Sequence, residues 1–161
     1  MEIMYCTTEK TKIFAEPGAF EPMIKQAEAL IEGGGFKGNG CANAIVVMTA
    51  KGNIFGAVTE DGRKYYESCA DKVFEQLADS QETEVKRIVC LWDGGPLDIS
   101  SHYFRKKLYD LNKNNKNNKN AEILLGAENG YHTRALEQAF GKSRNKTTGM
   151  GQKAPATIRR E

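Results

Sequence analysis

The chain has 161 residues, of which 40% are hydrophobic, 27% charged and 9% aromatic, with a formal net charge of +2. That is the make-up of one globular domain with a core of its own, and it excludes a disordered chain, a fibrous repeat and a multidomain assembly. No apolar run approaches the ~18 residues of a membrane helix. Met1 to Phe20 has no apolar block leading to a small-residue cleavage site, so the reading expects no secretory signal and a cytoplasmic protein. Cys6, Cys41, Cys69 and Cys90 form no C-x-x-C pair and are expected to stay reduced.

Charge is uneven along the chain. The last 21 residues hold Lys142, Arg144, Lys146, Lys153, Arg159 and Arg160 against the single acid Glu161, whereas residues 1–140 carry 17 basic and 20 acidic side chains. The pattern predicts one domain over 1–141 and a basic flexible tail over 142–161, because the tail lacks the apolar periodicity that would offset its ordering entropy.

In chain order, Pro22 suits a first helical turn, and Met23, Ile24, Ala27, Leu30 and Ile31 share one face before Gly33 to Gly35 stop the helix. Ala42 to Thr49 is a near-continuous apolar run, and Ile54 to Val58 resumes after Ala50-Lys51-Gly52-Asn53, which predicts a hairpin with a well-buried strand. Ser68 and Asp71 have capping-box spacing, so a second helix is expected to start near Ser68 and to carry Ala70, Val73, Phe74 and Leu77 inward. Val85 to Trp92 reads as a buried strand ending at Asp93-Gly94-Gly95-Pro96, and Ser100 or Ser101 can cap a third helix bearing Phe104, Leu108 and Leu111. Asn112 to Asn120 is Lys/Asn-rich and predicts a solvated loop. Ala121 to Leu125 predicts a short strand, and Thr133, Leu136 and Phe140 a last helix ended by Gly141. Two strand-helix-strand crossovers after a hairpin imply a mixed sheet with helices on both faces.

This order, with IFGAVTEDGRKYYESCAD between Ile54 and Asp71, resembles the cytidine deaminases. That family follows a strand with an Asn-x-Glu-Asn loop that holds the ribose, then opens a helix with Cys or His, Ala and Glu. Here Val58 falls on the Asn, Glu60 on the ribose Glu, Cys69 on the zinc ligand, Ala70 on the Ala and Asp71 on the general acid/base Glu. The resemblance runs over about residues 20 to 142. It implies an α/β protein with a three-layer α/β/α fold and a mixed sheet of four to five strands, assembling as a homo-oligomer.

The family's zinc chemistry needs three protein ligands and an open position for water. Aligning Arg105 and Leu108 with the family's Arg and Leu puts Ser101 and Phe104 where its two other cysteines stand, so Cys69 alone matches a ligand position and no cofactor is expected. Asp71 is a methylene shorter than Glu, which leaves a proton shuttle roughly 1 to 1.5 Å short.

The candidates are therefore Cys69 and Asp71 for chemistry, and Glu60, Tyr66, Ser100, Ser101 and His102 for ligand binding. The helix starts Ser68-Cys69-Ala70 and Ser100-Ser101-His102 are expected to converge, and without a metal their N–H groups would suit an anion. Each candidate also has a plain structural reading: Cys69 as a small core residue, Asp71 as a helix cap, Glu60 as a turn acid and Tyr66 as a packing ring. The expected function is a divergent deaminase-like protein that binds a nucleoside- or nucleotide-like small molecule or an anion, with no membrane or nucleic-acid partner. A deaminase with an unconventional metal site, a thiol enzyme using Cys69 with His102 or His132 as base, and a structural module remain open beside it.

Overall fold

The computed structural model describes residues 12–111 and 117–140; the tail expected over 142–161 lies outside them. Nine elements follow in order: α1 (Glu21–Gly33), β1 (Asn43–Thr49), β2 (Ile54–Thr59), α2 (Tyr66–Ser80), β3 (Val85–Trp92), α3 (His102–Leu111), β4 (Glu122–Ala127), β5 (Gly130–Ala135) and α4 (Leu136–Phe140). Short 3-10 turns at Gly18–Phe20 and Asn117–Asn120 precede α1 and β4.

One sheet carries the strands in the order β2-β1-β3-β4-β5. β1 pairs antiparallel with both β2 and β3, β3 runs parallel to β4, and β4 pairs antiparallel with β5. Helix α1 covers one face, where Met23, Ala27 and Ile31 meet Val46, Val89, Leu91 and Leu124. Helices α2, α3 and α4 cover the other through Val73, Leu77, Phe104, Leu108 and Leu136, packed on Ile45, Val47, Ile88 and Ile123. The result is the three-layer α/β/α arrangement with a mixed sheet of five strands. β1 is buried along almost its whole length because it is central and covered on both faces.

The start of α2 differs from the sequence reading. Asp61 builds the preceding turn: its Oδ1 accepts the N–H groups of Arg63 (3.1 Å) and Lys64 (3.2 Å), and its carbonyl accepts that of Tyr65 (2.9 Å). That turn starts the helix at Tyr66, so Cys69 already donates its N–H to Tyr65 O. Ser68 and Asp71 therefore form no capping box. The Ser68 hydroxyl turns back to Tyr65 O, and Asp71 faces α3.

Two further corrections lie beyond α3. Thr133 is in a strand, because Glu128-Asn129 make a two-residue hairpin loop between paired Ala127 and Gly130, and the last helix begins only at Leu136. The Lys/Asn run is not wholly solvated either. Asn118 is fully buried: its Oδ1 accepts Val85 N–H (2.8 Å), and its Nδ2 donates to Thr83 O (2.9 Å) and Leu108 O (3.1 Å). One amide thus joins the start of β3 to the end of α3.

Ahead of α1, Phe14 and Tyr131 exchange both backbone hydrogen bonds, at 2.7 and 2.8 Å, laying one residue of the N-terminal segment against the β5 edge. A Cβ at Gly130 would collide with the Phe14 carbonyl, so this approach needs glycine.

Candidate ligand site at the amino ends of α2 and α3

Cys69 points into the sheet, 1% exposed, in a cluster with Ile45, Cys90 and Phe104. Burial pushes its thiol up to about 11, offset in part by Lys72 and a backbone hydrogen bond at Ile45. A nucleophile or metal ligand needs the thiolate, and this environment opposes it. Cys90, on the next strand, is also raised, first by burial and then by Asp98. Asn43 closes over it: Nδ2 donates to Cys90 Sγ (3.3 Å) and Leu91 O (3.1 Å).

Asp71 is two residues from Cys69, about 200° around the helix, and so cannot share its direction. Its Oδ1 accepts Tyr103 Oη–H at 2.7 Å and Lys107 Nζ–H at 2.9 Å. The Tyr103 hydroxyl first, and then Lys107, hold its carboxyl below the usual carboxylate range. Lys107 also stands 5.3 Å from the ring centres of both Phe74 and Tyr103. Tyr66 is partly exposed at the start of α2 and meets Tyr103 edge to face, with centroids 6.5 Å apart.

At α3, Ser101 Oγ accepts Phe104 N–H (3.1 Å) and Ser101 O accepts Arg105 N–H (3.1 Å), so Ser101 is the cap the sequence predicts. Ser100 adopts φ 72° and its buried Oγ finds no partner among the described residues. His102 is held below its ordinary value by burial, then by Arg105 and Lys106. Glu60 is exposed in the β2–α2 turn, where its carbonyl accepts Asn39 Nδ2–H (3.1 Å). Of the amides expected to be free at the two helix starts, Cys69 N–H is bonded to Tyr65 O; at α3 the Ser101 cap takes up the N–H groups of Phe104 and Arg105, one turn further on.

The structure thus links Asp71 and Tyr66 through Tyr103, while Cys69 turns into the core. Sequence reasoning missed Tyr103, Lys107 and Asn43. Their signal was faint: Tyr103 and Lys107 are four apart, flanking the predicted inward face of α3. For the metal the fit fails. Phe104 is 0% exposed and lies 5.3 Å from Phe74, ring centre to ring centre, and Ser101 is committed to its cap. Among the described residues no three His, Cys, Asp or Glu side chains are grouped to hold a metal ion.

Solved structures with this architecture include cytidine deaminases. The enzyme from Bacillus anthracis superposes with a TM-score of 0.56 at 11% identity, over 77% of this chain and 88% of that one. The enzyme from Mycobacterium leprae gives 0.52 at 11% identity, over 74% and 98%. No protein-family model and no curated protein matches the chain. The chain has a cytidine deaminase-like fold, and at this identity the likeness carries the fold alone.

Proposed function

We propose that the chain is a zinc-independent protein on the cytidine deaminase-like fold that binds a nucleoside- or nucleotide-like small molecule without deaminating it. The observation that carries this reading is Phe104: at a position the resemblance gives to a zinc cysteine, a phenyl ring packs in the core. A phenyl ring supplies no zinc ligand at that position, which supports the zinc-independent reading. Ligand contact falls to the rim, where Glu60 and Tyr66 are exposed. Self-association into a homo-oligomer belongs to the same proposal.

Metal analysis and calorimetry test it together. Purified protein should hold under about 0.2 zinc per chain and release no ammonia from cytidine. A nucleotide from a calorimetric panel should bind, and Glu60→Ala should weaken it by about 1–3 kcal/mol, the size of a charge-assisted hydrogen bond. Near-stoichiometric zinc that is lost in Cys69→Ser overturns the first half. Absence of nucleoside and nucleotide binding at millimolar concentration overturns the second and leaves a structural module.

A further inference from the structure

On the α1 face of the sheet, a cavity of about 360 Å3 lies between the last turns of α1 and the Asp93-Gly94-Gly95 turn after β3. That volume is within the range of small-molecule sites, which in α/β sheets lie beyond the carboxyl ends of the strands. Its frame is internally bonded. Asp93 Oδ2 accepts Gly38 N–H (2.9 Å) and Gly40 N–H (2.7 Å), tying the α1–β1 loop to the end of β3. Gly94 and Gly95 turn the chain at φ 98° and 110°, a conformation side chains resist.

The lining is mixed. Ile31 and Leu91, both nearly buried, contribute apolar surface, and Trp92 joins them. Glu28 and Glu32, four apart on α1, line it as well, and no ion pair among the described residues involves either. Lys37 is the only cation in the lining against three carboxylates, of which Asp93 is kept ionised first by the Gly40 and Gly38 N–H groups and least by Lys37. The lining therefore leaves the two α1 carboxylates unbalanced beside an apolar wall.

We propose that this cavity binds a small organic cation, an amine or guanidine with a short apolar body, placing its charge at Glu28 and Glu32 and its body against Ile31, Leu91 and Trp92. The sign of the lining disfavours anions, and the apolar wall gives a hydrated metal ion nothing to contact. The site is separate from the α2–α3 rim and does not rest on the nucleotide reading.

Titration of the 15N-labelled full chain with n-butylamine, a monocation at neutral pH, tests the assignment. Saturable amide shifts are expected at residues 28–38 and 91–95 with a Kd below about 1 mM. Glu28→Gln with Glu32→Gln should weaken binding at least about tenfold while leaving the melting temperature in place. Glu32→Gln alone serves if the double variant does not fold. Butyramide, a neutral molecule of similar body, should leave the amides unmoved. The proposal is overturned if the amides stay still at about 10 mM n-butylamine, if butyramide or Ca2+ reproduces the shifts, or if the variants bind as tightly as the parent.

Discussion

The carboxyl end of β3 has two sides, and they are finished in opposite ways. Toward α2 and α3, Cys90 is sealed by Asn43, Cys69 and Phe104. Toward α1, only a few residues on, Trp92 and Asp93 border an open cavity with uncompensated acids. The same strand thus ends in a packed core on one face and an open concavity on the other. One strand end can be packed shut on one face and left open on the other, because the sheet shields one from the other.

The sharpest way to break this contrast is thiol labelling. Cys41 is exposed in the loop that frames the open side, whereas Cys69 and Cys90 are buried with raised pKa values. Alkylation of Cys69 and Cys90 must wait for opening of the core, so each should react more than about 1000-fold slower than Cys41. Peptide mass spectrometry after timed iodoacetamide treatment measures this. Comparable rates at Cys41 and Cys69 would mean the corner is not sealed.

Phe104→Ala should cost about 3–5 kcal/mol in chemical denaturation, the range for emptying a buried aromatic site. Glu32→Gln, on the open side, should change stability by less than about 0.5 kcal/mol. Equal effects would erase the distinction between the two faces. Asn43→Ala is expected to fall between them, at about 1–3 kcal/mol, since it strips the buried Leu91 carbonyl and Cys90 thiol of their donor.

The smallest effect concerns Asp71. Its folded pKa lies below its unfolded value, so its stabilisation is present above the unfolded value, about pH 4, and is lost as pH falls through the folded one. Asp71 and Lys107 are both nearly half exposed, which limits the pair to under about 1 kcal/mol. Asp71→Asn should remove that share of acid sensitivity. Urea midpoints measured for both proteins between pH 6 and pH 3 would show it, and parallel curves would assign Asp71 no role in the α2–α3 seam.

Much of the fold was legible because its core elements are strongly patterned. Ala42 to Thr49 and Val85 to Trp92 are apolar runs that suit nothing but buried strands, and Pro22 with Gly33 to Gly35 brackets α1. β5 was obscure because Gly-Tyr-His-Thr-Arg-Ala, at the sheet edge, is only half-buried and carries no alternation. The Asn129-Gly130 pair was the available signal for that hairpin. Asn118 could not be read from a Lys/Asn repeat, since its three partners come from Thr83, Val85 and Leu108. In the candidate site, residue spacing located Cys69 and Asp71 on one helix. It could not give the two-residue earlier start set by Asp61, nor that one side chain enters the core while the other meets Tyr103.

The contact between Phe14 and Gly130 bears on how copies of this protein avoid one another. β5 ends the sheet, and an uncovered strand edge invites pairing with the edge of a second molecule. Phe14 occupies the backbone groups of Tyr131 that such a neighbour would take. Any side chain at Gly130 would push the segment away and free those groups. The missing Cβ at one edge position therefore keeps the Phe14 segment seated on the strand, and Gly130→Ala is expected to expose the Tyr131 backbone groups to solvent or to the edge of another chain.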